Sequence, residues 1–527
     1  MFAVFVLAGV SAGVLGRAAR PTSRAHRDVG TTQGVVRGYL NPEPPHYAFL
    51  GLPYGGPPTR YDRFKAPKPP ARWDGIFEAT HRVKCPQPDG EGVENCLVLN
   101  VFTPEHVESS PVLVVVHDGS VRYGWGSFHA PVRLLRESVL VITVNYRLGA
   151  LGFLCLGTSD APGNAGLKDL VAALYWIHKN IANFGGNPLD VTVYGFGFGA
   201  TAVELILLSG LGKGFLHKVI LESGTALSPM SISYDPLSTA VDVSATLGYR
   251  DTEDETELSR LFRKAAVEQL MNTSLTFLPC IENTVTNAFI DMDPVDILQR
   301  QNYHKVPMLI VFTESVKITK LPKQLFNSIP ENFEYLLPNN LEFNSDELRH
   351  KIGQLVKHFY FGETVIDDSL FRIYEEYFRD VIMEYPVMKS AVLHAAASSN
   401  PVFLMKFSYK CNSYQADDIE IDGDCKILDY FYIKNELYGS TDELVIKKIV
   451  TMWSNFIKIG DPTPLVTSLI PFVWQPVAAN DGNPINRVTG LIFGDTITIT
   501  DSMATDRITF WDNIYRKFYK QYKNNTL

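Results

Sequence analysis

Two short runs constrain this chain most: residues 112–116 (VLVVV) and 139–144 (VLVITV). Unbroken apolar runs rich in β-branched residues suit strands covered on both faces, as in a parallel sheet with helices on each side. Residues 191–194, 219–221, 308–312 and 402–407 read the same way. Between them, Leu167, Leu170, Val171, Leu174 and Ile177 recur on one helix face, and residues 199–210 and 441–458 also read as helical. This alternation predicts an α/β chain with a large, mostly parallel central sheet flanked by helices. A length of 527 residues alone favours three or four domains. No repeat or low-complexity linker divides the chain, so one large domain with long insertions is expected. The Pro-rich stretch from Pro42 to Pro70 reads as ordered surface loop, because Tyr47, Phe49, Tyr54 and Phe64 punctuate it.

The N-terminal residues 2–10 are apolar and small residues follow them. That pattern predicts a signal peptide over residues 1–16, cut between 12 and 16, and a mature chain of 17–527. The expected location is extracellular. No later stretch reaches the ~20 apolar residues of a spanning helix, so no membrane span is expected. Forty-eight Lys+Arg against 57 Asp+Glu leave a net charge of −9, and no dense basic run exists. Nucleic acid is therefore excluded as a partner. Two sequons, at Asn272 and Asn524, fit glycosylation of a secreted chain. Six cysteines allow 15 full pairings. Cys85 with Cys96, and Cys411 with Cys425, are the closest in sequence, while Cys155 follows an apolar run and reads as buried. Without any C-x-x-C spacing, no metal site is expected, and no cofactor.

The chemistry should lie at one turn. Strand residues 191–194 run into Gly195-Phe196-Gly197-Phe198-Gly199 and then into a helix. Strand, Gly-rich turn and helix is the setting of the nucleophile elbow G-x-S-x-G. Here the projecting residue is Gly197, which carries no side chain. A dinucleotide loop is the competing reading. Its third glycine would be one residue early, and two Phe stand where phosphate must approach.

The flanking motifs carry a resemblance. Residues 49–54 (FLGLPY), 94–101 (ENCLVLNV), 145–154 (NYRLGALGFL), 162–167 (PGNAGL), 180–188 (NIANFGGNP), 452–456 (MWSNF) and 510–512 (FWD) follow one another in order. Together they resemble the type-B carboxylesterase and cholinesterase family of α/β-hydrolases over nearly the whole mature chain. The resemblance implies an α/β-hydrolase fold, a Cys85–Cys96 bridge, a gorge above the sheet, and acyl transfer by a Ser, Glu/Asp, His triad. It puts Gly197 at the serine position, Val316 or Glu314 at the acid and Lys426 at the histidine. The last histidine of the chain is His394, so no gap placement supplies a late base. The oxyanion motif becomes His117-Asp118-Gly119-Ser120, leaving Gly119, Ser120 and Phe198 as N–H donors. Asp118 would oppose a developing anion, or it points to solvent or caps a turn, or it pairs with Lys426 across the gorge. Phe196 and Phe198 either line a pocket or pack behind the turn. His117 is expected to pack. The segment between Cys85 and Cys96 has no aromatic residue, which argues against choline ligands.

These readings predict a secreted, catalytically inactive homologue that binds a small apolar ligand or an extracellular protein partner. One alternative is an ester hydrolase with an unusual nucleophile such as Ser223, Ser209 or Thr201. Another is a structural or storage protein. The family's C-terminal helices, here about 507–521, imply a possible homodimer.

Overall fold

The computed structural model describes residues 25–520 except 59, 250–251, 274, 283–287, 314–331, 364–369, 410–413, 417–418, 422–425, 433–439 and 479–484. The apolar runs form the centre of a single sheet. Strands β1 (His26–Gly30), β2 (Val35–Pro42), β3 (Pro45–Pro53), β4 (Ile76–Glu78) and β5 (Val98–Pro104) make one edge. Strands β6 (Ser110–Val116), β7 (Leu140–Val144), β8 (Gly186–Phe196), β9 (Lys218–Glu222), β10 (Met308–Thr313) and β11 (Val402–Phe407) follow. Then come a separate hairpin of β12 (Tyr414–Ala416) and β13 (Ile419–Ile421), and the far edge, β14 (Gly490–Phe493) and β15 (Ile497–Thr500). The order across the main sheet is β1-β2-β3-β5-β7-β6-β8-β9-β10-β11-β14-β15, with β4 beside β2. From β7 to β14 every neighbour is parallel, whereas the main path from β1 to β7, and β14–β15, is antiparallel.

Alternation along β6 shows why its run had to be continuous. Val112, Val114 and Val116 enter one apolar core, and Leu113 and Val115 enter the other. Helices α1 (Ala165–Asn180), α2 (Phe198–Ser209), α3 (Tyr385–Ala397) and α5 (Asp506–Phe518) contribute to the first core. Helix α4 (Ser440–Ile459) fills the second with Met452, Trp453 and Phe456. On α1, Leu167, Leu170, Leu174 and Ile177 are buried and Val171 is half-buried, the one-face pattern that the spacing predicts.

Two expectations need correction. The stretch 42–70 is not loop throughout, because β3 lies inside it and pairs with β2 and β5. Its Tyr54 and Phe64 are core residues, each 2% exposed. Cys155 is not a lone buried thiol but bridges to Cys280, with Cα atoms 6.5 Å apart. The Cys85–Cys96 bridge forms, with Cα atoms 5.0 Å apart. Cys411 and Cys425 lie outside the described residues, as does the segment read as a signal peptide. Among the described residues, no helix is long and apolar enough to cross a membrane.

A buried ion pair fixes the segment after β7. Arg147 and Asp169 are 3% and 0% exposed and meet through two bonds, Nε–Oδ2 at 2.7 Å and Nη2–Oδ1 at 2.5 Å. The guanidinium also donates to the carbonyls of Arg63 (3.0 Å) and Lys65 (2.7 Å). One residue thus ties β7, α1 and the Pro-rich stretch together. Burial pushes the Asp169 carboxyl up despite Arg147, so the pair bears a desolvation cost. Arg147→Met, which strands the carboxylate, should cost roughly 3–5 kcal/mol in urea unfolding. A companion Asp169→Leu should recover part of that loss.

Candidate functional site

The turn after β8 keeps the geometry of an elbow. Gly197 sits between β8 and α2 at φ 55°, ψ −122°, a conformation that a side chain makes costly. Its N–H donates to the Glu222 carbonyl at 2.8 Å, which locks the turn to β9. The flanking glycines are needed for space. A Cβ on Gly195 would lie 2.2 Å from the Gly199 carbonyl oxygen, and one on Gly199 would lie 2.3 Å from that of Val116.

Asp118 points into this turn. Its Oδ1 accepts the Phe198 N–H at 2.8 Å and the Ser120 N–H at 3.2 Å. A Cβ at Gly197 would meet the Asp118 Cγ at 2.3 Å and both carboxylate oxygens at 2.5 Å. The carboxylate therefore stands where a side chain at 197 would begin. Two of the three expected donors are already engaged. Of the orientations open to Asp118, it takes the one that caps the turn, and it forms no ion pair with Lys426, whose ammonium lies over Phe196. The loop that delivers Asp118 is tight. Gly119, Ser120 and Val121 all have positive φ, and a Cβ on Gly119 would lie 1.8 Å from the Tyr123 carbonyl oxygen. His117 packs, as expected. Its ring stacks on Tyr146 with centroids 4.4 Å apart, and Nδ1 donates to the Asp118 carbonyl at 2.7 Å. Burial depresses its pKa to about 4, so the imidazole is neutral.

The late segment reaches the turn differently from the expectation. The Ile427 N–H donates to Glu222 Oε1 at 2.9 Å, and Tyr194 donates its hydroxyl to the other oxygen. Burial pushes the fully enclosed Glu222 carboxyl up to about 7. This anchor sets Lys426, itself exposed, with Nζ 4.4 Å from the centroid of the Phe196 ring. Of the two phenylalanines, Phe198 packs behind the turn, and Phe196 takes a role that neither expectation gave it. Half-buried Phe196 carries the ammonium, while Phe198 packs edge-on against Phe153 at 5.4 Å. Val316, Glu314 and Asn524 lie outside the described residues, and Asn272 is exposed at the end of a short helix.

No neighbouring hydroxyl is wired to a histidine base among the described residues. Thr201 donates to the Thr225 carbonyl at 3.1 Å, Ser209 to that of Ile206 at 2.9 Å, and Ser223 pairs with Thr313 at 3.2 Å. A Ser, Glu and His set does exist elsewhere, and the sequence reading missed it. Glu204 on α2 accepts from Ser390 at 2.6 Å and meets His394 Nε2 at 3.1 Å, both on α3. Tyr303 completes the chain at His394 Nδ1, 2.8 Å away. Burial raises the Glu204 carboxyl, but the bonds from His394, Ser390 and the Ala226 N–H outweigh it and hold its pKa below the ordinary value. Glu204, Ser390 and His394 are each at most 1% exposed, and the serine bonds the acid rather than the histidine. The set therefore ties α2 to α3 and has no substrate access.

A groove of about 850 Å³ opens elsewhere, between residues 65–70 and α1. Its apolar wall includes Tyr54, Pro67, Val171, Ala172, Trp176 and Phe215. Lys65, Lys68, Lys168 and Lys179 also line it, and among the described residues no carboxylate does. The first three pair with Asp160, Asp62 and Glu282. Lys179 lies 5.4 Å from the Tyr175 ring centroid and forms no ion pair among the described residues.

Comparison with known proteins agrees with this architecture. The model of the carboxylesterase family matches residues 25–511. Juvenile hormone esterase of Heliothis virescens is 30% identical over 490 residues, spanning 83% of this chain and 86% of that one. Esterase E4 of Myzus persicae is 29% identical over 507 residues, spanning 88% and 90%. The crystal structure of juvenile hormone esterase from Manduca sexta, with OTFP covalently attached, superposes with a TM-score of 0.77 at 25% identity, covering 93% of this chain and all of that one. A family match over nearly the whole described chain, on a sheet and elbow of this form, permits one conclusion: the chain belongs to the carboxylesterase family.

Proposed function

We propose that this chain is a secreted, catalytically inactive carboxylesterase homologue that acts by binding a small apolar molecule. The observation that carries the reading is the elbow itself. Its projecting position is Gly197, and the space above it holds the Asp118 carboxylate. The covalent route needs a nucleophile next to a base. Lys426 is exposed over Phe196, and no histidine follows His394. The nearby hydroxyls are spent on carbonyls or on another hydroxyl.

The groove beside α1 favours a small ligand over a protein partner. Its volume lies within the range of about 300–1,000 Å³ common for small-molecule sites, and its wall is mainly apolar. Lysines without carboxylates in that wall fit a ligand with an anionic end. The cation available to it is Lys179.

The secreted protein should hydrolyse 4-nitrophenyl butyrate no faster than a heat-denatured control. Turnover above the control would sink the inactive reading and favour an unusual nucleophile. Gly197→Ser alone should remain inactive, since it supplies no base.

Sodium dodecanoate should raise the thermal midpoint of the protein, as any ligand of the folded state does. Ala172→Trp, which fills the groove, should abolish the rise, and Lys179→Glu should weaken it. An unchanged midpoint for the parent protein across dodecanoate, dodecanol and apolar esters would favour a structural protein instead.

A further inference from the structure

We propose that Asp118 is an internal ligand of the former reaction site and decides what that site admits. The proposal rests on the inactive reading and gives it a physical cause beyond the missing serine. Phe198 and Ser120 come from segments far apart in the chain, yet their N–H groups converge on one oxygen, Asp118 Oδ1. An oxyanion hole works by aiming fixed donors at about 2.7–3.1 Å from the position of a developing negative oxygen. The Phe198 contact, at 2.8 Å, falls within that window. The site thus already holds a negative oxygen, and that oxygen is its own.

The same carboxylate fills the volume of the absent nucleophile. A Cβ at residue 197 would sit 2.3 Å from Asp118 Cγ, far inside contact distance. Serine at 197 and Asp118 in this position exclude one another. The occupancy also helps the fold. Gly197 offers α2 no side-chain cap, so the Asp118 carboxylate caps that positive helix end from the loop after β6. Oδ2 accepts no hydrogen bond from a described residue, and Asp118 is half-buried. A ligand reaching the turn therefore meets an acceptor. The site repels ester carbonyls and carboxylates and favours groups that bring an N–H or O–H donor.

The test is a double-mutant cycle on the full chain with Gly197→Ser, Asp118→Gly and their combination. Urea unfolding and equilibrium dialysis with 4-nitrophenyl butyrate are the readouts. Gly197→Ser should lower the folding equilibrium constant at least tenfold more in the parent protein than in the Asp118→Gly background. Asp118→Asn, which keeps the volume and removes the charge, should leave the serine as costly as in the parent. Asp118→Gly alone should lose some stability through the lost cap, yet bind the ester at least tenfold more tightly. Equal serine costs in the parent and Asp118→Gly backgrounds, or unchanged ester affinity in Asp118→Gly, would overturn the proposal while leaving inactivity standing. If Asp118→Gly fails to fold, the serine cost in Asp118→Ala replaces it in the cycle, and an undiminished cost there would overturn the proposal. Turnover of the ester by the unmodified protein would overturn both readings, because an occupied site cannot hold a reacting carbonyl.

Discussion

The structure depends on one backbone conformation, the positive φ at Gly197 where a central parallel strand becomes a helix. Everything near it is arranged around that reversal. Gly195 and Gly199 leave room for it, the Glu222 carbonyl holds its N–H, and β6 supplies the loop that lies over it. In an active serine hydrolase the strained residue must also carry the nucleophile, so strain is the cost of projecting a reactive side chain. Glycine removes that cost. The turn needs no serine to persist, so the fold stands on the backbone conformation of Gly197 alone.

Much of the sheet was legible because burial on both faces leaves a simple mark. The run 112–116 became β6, and 191–194 became the buried part of β8, for the reason their patterns gave. The antiparallel edge was harder. Strand β3 carries Pro45, His46 and Pro53, and its pairing is set by neighbours rather than by its own propensity. The Cys155–Cys280 bridge spans 125 residues and leaves no spacing signal. Glu204 and His394 are 190 residues apart, and only helix packing brings them together.

Asp118 shows where a motif stops being informative. Sequence places a carboxylate beside the turn but does not say which way it points. The signal was available in volume: a residue without a side chain at Gly197 and a carboxylate at Asp118, on the two segments that meet at the turn. Lys426 misled for the opposite reason. Its opposite charge made a partnership plausible, yet the Ile427–Glu222 bond places it over an aromatic ring instead. Backbone anchoring, not charge, chose its neighbour.

The Cys155–Cys280 bridge has a topological consequence. It closes a covalent ring that contains α1, β8, the elbow, α2 and β9. Asn164, at the start of α1, fastens the same junction by accepting the Cys280 N–H at 3.0 Å. A single protease cut anywhere between the two cysteines leaves both fragments attached, and the elbow stays linked to the sheet through either end. The chain would migrate as two pieces only after reduction, so a nicked molecule in an oxidising medium stays one covalent unit long after its backbone is broken.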